Sequence, residues 1–157
     1  GNAADYLQWA AAVPKGSEPV SSIRVFPAGY GPGTIVIVVA RSDNFPISNA
    51  LATAIRDDAL SRGPVDLAGV YVISPSPITL DITISMVGGD PSLVRASISN
   101  YFANLLPGQP VSPSVFRGFA FQAGATQVTI IAPANDTLVT PPKWSIVVLG
   151  ALTVTKS

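Results

Sequence analysis

The stretch Ile78–Met86 reads ITLDITISM and alternates apolar with polar residues along its whole length. Successive side chains of a β-strand point to opposite faces, so a period of two predicts a strand. One face carries only apolar side chains, and the other carries Thr79, Asp81, Thr83 and Ser85. We therefore expect a half-buried strand whose polar face meets water or a partner.

Glycine and proline divide the residues that follow this strand. Gly88-Gly89 ends it, and Asp90-Pro91 then places an N-cap residue before a proline at the first helical position, which favours a helix. Ser112-Pro113 repeats this arrangement. The first predicted helix runs to about Leu106 and buries Val94, Ile98, Tyr101, Phe102 and Leu105. The second is short, has Gly124 as its C-terminal cap, and carries on one face Val115, Phe116, Phe119 and Ala120. The remaining predicted elements are a strand from Thr126 to Ala132, a loop from Pro133 to Pro142, and a strand from Trp144 to Thr155 with a bulge or bend at Gly150.

The residues before Ile78 contain a hairpin signal. Val20–Phe26 reads as a strand, and the β-branched run TIVIVVA at Thr34–Ala40 is typical of a strand covered on both faces. Between them, Pro27–Gly33 (PAGYGPG) is too rich in glycine and proline to continue a strand and predicts a turn. The other predicted elements are a helix over residues 3–13 closed by Pro14, a helix capped by Ser48 that runs to about Arg62 with Leu51, Ala54, Ile55 and Ala59 in one stripe, and a strand from Val70 to Ile73.

The order of these elements predicts the fold class. It is αββαβ followed by βααββ, and such interleaving of helices and hairpins favours an α+β fold with helices on one face of each sheet. The proline-rich segment Ser74–Pro77 (SPSP) lies between the two halves. We predict two small sandwich-like modules, residues 1–76 and 77–157, each with a mixed or antiparallel sheet covered by helices.

The composition excludes several classes of function. The chain of 157 residues has no Cys and no His, which excludes thiol chemistry, disulfides, a Ser-His-Asp triad and His- or Cys-ligated metals. Nine basic and nine acidic residues give a net charge of zero, so no long-range field gathers nucleic acid or an anionic membrane. The longest strongly apolar run, Ile35–Ala40, is too short to span a bilayer, and the N-terminal residues lack the basic start of a secretory signal.

The same composition favours association with other proteins. Only 11% of the residues are charged and the mean hydropathy is +0.44. Low charge at zero net charge favours assembly over free solution.

The carboxylates do not form a pattern typical of catalysis. Asp57 and Asp58 are adjacent on a predicted helix, so their side chains diverge and indicate a solvated face. Asp81 lies on the polar face of its strand, as a surface or interface residue. A calcium site built from four loop residues is conceivable but lacks the dense ligand spacing of known loops. Those four residues are Asp43, Asn44, Asn135 and Asp136.

The glycine-rich turn and the aromatic residues favour structural roles. A phosphate-binding loop needs backbone N–H groups at a helix start, usually with a lysine, whereas Gly29–Gly33 leads into a strand and contains Pro32. Trp9, Tyr30 and Trp144 have no basic patch around them, which favours core or subunit-interface anchors over stacking platforms for sugars or bases. We expect no catalytic, cofactor-binding or metal-ligating residue and no enzymatic activity.

Several stretches carry short motifs. They are 4–10 (ADYLQWA), Val13-Pro14, 23–27 (IRVFP), 30–34 (YGPGT), Arg62-Gly63-Pro64, Val70–Pro75, the strand from Ile78, and Val148-Leu149-Gly150 with Thr153 and Thr155. Together they resemble the Baseplate J-like family of phage tail proteins, over nearly the whole chain. Members typically read ADYxxWA, VPGV, a VxP strand end and NGPGT before a valine-rich strand; later they have RP, VxVxxP, an alternating strand and a closing VLGxxT. Lys15–Val20 lengthens one connection, Tyr30 replaces a common Asn, and Gly63 is inserted between Arg62 and Pro64.

The resemblance implies a structural subunit of the baseplate wedge in a contractile phage tail or related injection device, of which this chain is the C-terminal part. It implies contacts with further copies and with a wedge protein similar to tail protein I, in a six-fold plate within a virion or prophage particle made in the bacterial cytoplasm. It implies no cofactor, nucleic acid, membrane or small-molecule substrate. The candidate interface or motif residues are Asp5, Tyr6, Trp9, Tyr30, Gly31, Pro32, Gly33, Asp81, Thr83 and Trp144.

Two other classes stay open on the residues alone. The order of strands and helices also fits a small-ligand-binding α+β module, although a fold does not determine a function. A hydrolase that uses aspartates is disfavoured because the chain lacks histidine.

Overall fold

A computed structural model describes residues 2–64, 67–134 and 137–157 of the chain. Its contacts divide the chain into two compact units, Gly1–Ser76 and Pro77–Ser157. The described residues form four α-helices and two three-stranded sheets, which confirms the predicted α+β fold. The elements are α1 Ala3–Ala12, β1 Val20–Pro27, β2 Thr34–Arg41, α2 Asn49–Arg62, β3 Gly69–Ile73, β4 Ser76–Gly88, α3 Pro91–Ala103, α4 Pro113–Gln122, β5 Ala125–Ala132 and β6 Ser145–Lys156.

The sheet of the first unit has the order β1-β2-β3. The predicted hairpin is present: β1 and β2 pair antiparallel, with Val25 opposite Ile37. β3 pairs parallel to β2 after the crossover through α2, with Val70 opposite Ile35. The central strand therefore has a neighbouring strand on each edge, and residues 34–40 are all buried, which confirms the strand covered on both faces that its continuous β-branched run predicts.

The core of the first unit lies between this sheet and helices α1 and α2. Alternate residues of β2 point into it and meet Tyr6 and Ala10 of α1. Val36 and Val38, on the other face of β2, are also fully buried. Phe26 and Tyr71 stand beside Val36 in the register. The core members from β2 and α2 are Ile35, Ile37, Val39, Leu51, Ile55 and Ala59.

The sheet of the second unit has the order β5-β4-β6. β4 and β5 pair antiparallel. Along β6, Ala151 bonds the Asp81 side chain, Thr155 bonds the Ile84 carbonyl and Ser157 bonds the Met86 carbonyl, so β6 runs in the same direction as β4.

The alternating stretch that predicted β4 lies as expected. Ile82, Ile84 and Met86 have no exposed surface and pack with α3, α4 and both neighbouring strands. Thr79 and Asp81 are exposed, and Thr83 and Ser85 are half-buried. The aromatic side chains of α3 and α4 complete this core, with Phe102 stacked on Phe116 at 5.8 Å between centroids.

Several predicted details are wrong. α3 ends at Ala103 rather than near Leu106, because the Asn104 side chain donates to the Asn100 carbonyl and the chain leaves the helix there. β4 begins at Ser76 and takes up the second half of the predicted hinge. Ala54 is exposed; the buried residues of α2 lie at an exact spacing of four, which leaves Ala54 off the stripe.

One cap prediction needs correction and another is confirmed. Ser112 occupies the N-cap of α4 but makes no side-chain cap, because its hydroxyl bonds Ser114 instead. Gly124 closes the C-terminal end of α4 as predicted, since it follows the last helical residues with a φ of +99° that favours glycine. The last strand starts at Ser145, one residue after Trp144.

Candidate interaction surface

The N-terminal motif residues build α1 and bury it. Asp5 and Asn2 form a capping box: the Asn2 N–H donates to Asp5 Oδ2 at 2.8 Å, and the Asp5 N–H donates to Asn2 Oδ1 at 3.1 Å. Tyr6 is 1% exposed, and its ring meets Trp9 edge-on at 5.0 Å. Burial raises the pKa of the Tyr6 hydroxyl, and the charge of Asp5 raises it further. These residues anchor a helix to the core.

The Tyr6 side chain also explains why position 63 is a glycine. A Cβ on Gly63 would lie 2.8 Å from the Tyr6 hydroxyl oxygen and 3.1 Å from the Ala59 carbonyl. Only a glycine lets the end of α2 approach this closely. Within the described ranges, the buried Tyr6 hydroxyl has no hydrogen-bond partner.

The glycine-rich residues 29–33 form a folded turn between β1 and β2. Gly31 and Gly33 have φ values of +118° and +76°, which glycine adopts without strain. The Thr34 hydroxyl donates to the Gly31 carbonyl at 2.7 Å, and Pro32 lies exposed between them. The Gly33 carbonyl accepts from the Ala68 N–H at 2.7 Å, so the turn also ties down the start of β3. Tyr30 is exposed and meets Tyr71 edge-on at 4.9 Å.

The Asp81 side chain forms a hydrogen bond within its own sheet. Its Oδ1 accepts from the Ala151 N–H at 2.9 Å. A Cβ on Gly150 would lie 2.2 Å from that oxygen, so the residue predicted as a bulge or bend is a glycine because the carboxylate occupies the space. Thr83, two residues further on the same face, is half-buried.

The remaining candidates occupy separate places. Trp144 lies half-buried just before β6, with Lys143 Nζ 4.9 Å from its ring centroid. Asp58 pairs with Arg62 at 3.1 Å and Asp57 with Arg56 at 3.5 Å along α2, in keeping with a solvated face. The structure therefore brings together Tyr6 with Trp9, and Tyr30 with the turn, but it does not gather the candidates of either unit into one site.

Of the four loop residues considered as calcium ligands, the structure describes Asp43 and Asn44. Asp43 is held by the Arg41 guanidinium, which lowers the pKa of the Asp43 carboxyl. Asn135 and Asp136 lie outside the described residues. Elsewhere in the described chain, no group of three or more His, Cys, Asp and Glu side chains could hold a metal ion.

A network around Glu18 is a feature that sequence reasoning missed. The Glu18 carboxylate accepts from both the N–H and the hydroxyl of Ser48 at 2.7 Å, and it pairs with Arg41 at 3.5 Å. The hydrogen bonds from Ser48 lower the pKa of Glu18, and Arg41 adds to the effect. Since Ser48 is the N-cap of α2, Glu18 fixes the start of that helix to the segment before β1. Thirty residues separate the two partners, so no local pattern indicated the contact.

Other charged side chains are likewise bound to the protein's own backbone. Lys15 Nζ donates to the carbonyls of Ala10, Ala11 and Val13, which closes the C-terminal end of α1. Arg95 of α3 donates to the Val154 carbonyl and Arg117 of α4 to the Val128 carbonyl, each at 2.8 Å. These three charged side chains therefore stabilise the fold, although Arg95 is also exposed.

Large apolar side chains, in contrast, lie on the surface. Phe45 is 67% exposed, and Ile131 and Leu138 are each 56% exposed. Single exposed apolar residues are common, but here they accompany few charges. The other large apolar side chains exposed in the described chain are Leu7, Tyr30, Leu60, Tyr71, Val87, Leu93, Leu106 and Phe121.

The surface also has shallow depressions. In the first unit, one lies between α2 and β3 and another beside Pro14 and Arg62. In the second unit, a depression of about 370 Å³ lies beside the end of α3 and is lined by Ser97, Asn100, Tyr101, Asn104, Gln109 and Phe119. All three are open to solvent. None of the described helices is long and apolar enough to cross a bilayer.

Neither protein-family models nor curated protein sequences give a match to this chain.

Proposed function

We propose that this chain is a structural subunit of the baseplate wedge of a phage or phage-like contractile tail, and that it acts through protein–protein assembly. The observation that supports the proposal is the contrast between its charged and its large apolar side chains. Asp5, Lys15, Asp81, Arg95 and Arg117 bind the protein's own backbone, while large apolar side chains remain outside. Covering such a surface with another protein lowers the free energy, because apolar area is removed from water.

The sequence resemblance supplies the setting. The motifs at residues 4–10 and 30–34 are similar to those of the Baseplate J-like family, and here they build the capped helix α1 and the turn between β1 and β2. The partners in this proposal are further copies of the chain and a wedge protein similar to tail protein I. The location is the baseplate of the particle, after synthesis in the bacterial cytoplasm.

The proposed role is mechanical. Each unit is a small sheet held by helices and by side-chain bonds to its own strands, so it transmits force as a stiff body. Apolar contacts between such bodies are not directional and exchange at low cost, which suits a plate that rearranges when the sheath contracts.

Mass spectrometry of purified tail particles tests this function. Particles from cells that produce the full protein should contain it at a fixed ratio to the sheath and tube proteins after washing in high salt. Apolar interfaces survive salt that screens ionic ones, so retention is the expected result. Absence of the protein from assembled particles would refute the proposal.

A small-ligand-binding module is the second candidate. The depression along α3 favours it, because Asn100, Asn104 and Gln109 line it with hydrogen-bonding groups. A thermal-shift screen of metabolites on the isolated chain decides this candidate: it requires stabilisation by one chemical class of ligand, lost in Asn100→Ala.

A further inference from the structure

Strand β3 forms an edge of the first unit's sheet and lacks the usual protection of an edge. The strand order β1-β2-β3 leaves one side of β3 without a neighbouring strand of this sheet. Its sequence GVYVI contains no charge and no proline, and its register with β2 is continuous. The opposite edge, β1, carries Arg24, ends at Pro27 and has a bulge between Val20 and Ser22. Charges, prolines and bulges are the features that keep edges from pairing.

The depression between α2 and β3 runs along this open edge and forms a groove. It lies between β3 and α2, has a volume of about 190 Å³, and is lined by Val70–Ile73 on the strand and by Ala52, Thr53 and Arg56 on the helix. Ala52 and Thr53 are small, so the helix leaves room beside the strand. An edge strand next to a helix groove is the arrangement in which a peptide adds as a further strand while its alternate side chains enter the groove.

The charge of the groove indicates the chemistry of the segment. Arg56 is the charged residue among the lining side chains. Its neighbour Asp57 is 3.5 Å away, and the two side chains are 51% and 62% exposed, so this pair holds the guanidinium weakly. A carboxylate in the groove can accept two N–H bonds from Arg56.

A second copy of the chain fits this groove less well. Two β3 strands paired antiparallel about a two-fold axis would bring both α2 helices to the same face of the joined sheet. Both Arg56 side chains would then lie along one seam, which disfavours the pairing.

We propose that the groove between β3 and α2 accepts an extended segment of a neighbouring protein, carrying an aspartate or glutamate, as a fourth strand of the sheet. Main-chain bonds to Gly69–Ile73 hold about 17 Å of the segment. Its carboxylate meets Arg56, and an apolar side chain covers Ala52. The inference rests on the proposed baseplate role for the source of the segment, which is an adjoining wedge protein.

Selection from a phage-displayed library of short random peptides tests the groove. Peptides enriched on the intact chain should share an acidic residue within alternating β-branched residues. Hydrogen exchange of the amides of Tyr71–Ile73 should slow when the synthetic peptide binds, while exchange in β1 stays unchanged.

Two matched variants test the charge. Arg56→Glu should weaken binding at least about tenfold, the size expected for a charge-assisted bond, and should accept the same peptide with lysine in place of its acid. Arg62→Glu, on the same helix and 53% exposed, lies outside this groove and should bind like the unaltered chain. Thermal unfolding of both variants verifies that they fold.

Three results would overturn the inference: no peptide is enriched, the enriched peptides bind Arg56→Glu equally well, or the chain dimerises through β3 and excludes peptides. The composition of tail particles is scored separately. A chain that enters particles but binds no peptide contradicts only the groove. A chain that binds acidic peptides but is absent from particles contradicts only the baseplate role.

Discussion

Gly150 and Gly118 show how strongly the effect of a methyl group depends on its surroundings. In Gly150→Ala the new Cβ would lie 2.2 Å from Asp81 Oδ1 and 2.6 Å from Thr79 Cγ2, so both side chains must turn away and the hydrogen bond from the Ala151 N–H to Asp81 is lost. We expect a loss of about 1 kcal/mol in the free energy of unfolding, the usual net contribution of one hydrogen bond. Urea denaturation followed by circular dichroism measures it.

Gly118→Ala is the control for that substitution. Gly118 lies within α4, and a Cβ there meets nothing within 4 Å. Alanine in an open helical position should stabilise the unit by about 0.5–1 kcal/mol. If both variants shift the urea midpoint in the same direction, the close approach of Asp81 to β6 is wrong.

Glu18 gives the first unit a pH dependence. The pKa of Glu18 is lowered from its ordinary value of 4.5 by the hydrogen bonds from Ser48, so the folded state favours the charged form. A lowered pKa in the folded state contributes stability above the unfolded pKa, and this contribution is lost as pH falls through the folded value. The Tm of the unaltered chain should therefore fall below about pH 4.5 more steeply than that of Glu18→Gln. Equal slopes for the unaltered chain and Glu18→Gln would contradict the network around Ser48.

At the scale of the element, β4 tests the assignment of faces. Ile82 is fully buried, and its neighbour Thr83 is half-buried on the other face. Ile82→Asp places a charge without a partner in the core and should cost several kcal/mol, enough to unfold the second unit. Thr83→Asp should leave the circular dichroism melt near that of the unaltered chain. Equal loss of structure in both variants would mean that the faces are exchanged.

Local patterns predicted the elements well because the determinants are local. The alternation at 78–86 and the predicted caps at Ser48 and Asp90 act within one strand or one helical turn, and the structure has a strand or a helix at each of these places. The end of α3 escaped prediction because it depends on the Asn104 side chain, which competes with the helical backbone.

The pairing of strands and the site were less predictable because they depend on distant residues. β6 follows β5 in the chain but lies on the other side of β4. There the Asp81 side chain accepts a hydrogen bond from the N–H of Ala151, 70 residues away in sequence. Tyr6 and Tyr30 both belong to sequence motifs, but the structure buries Tyr6 and exposes Tyr30. The groove beside β3 needs the positions of α2 and the open edge together, which no stretch of sequence encodes alone.

For the whole molecule, we propose that exposed apolar side chains of the second unit, rather than its charges, join this protein to its neighbours. Three such residues of the second unit can be made polar at exposed positions of helices and a strand, where the core is not touched. This apolar-to-polar variant combines Leu93→Gln, Phe121→Gln and Ile131→Thr, which are 55%, 48% and 56% exposed. Its control changes an exposed polar neighbour of each: Ser92→Gln, Gln122→Ser and Thr129→Ser.

Incorporation of these two variants into tail particles, quantified by mass spectrometry against the sheath protein, shows whether the exposed apolar side chains join the chain to its neighbours. The apolar-to-polar variant should melt at a temperature close to that of the unaltered chain but enter particles at least about tenfold less, since each lost contact removes buried apolar area. The control should enter at the normal ratio. Full incorporation of a well-folded apolar-to-polar variant would contradict the account.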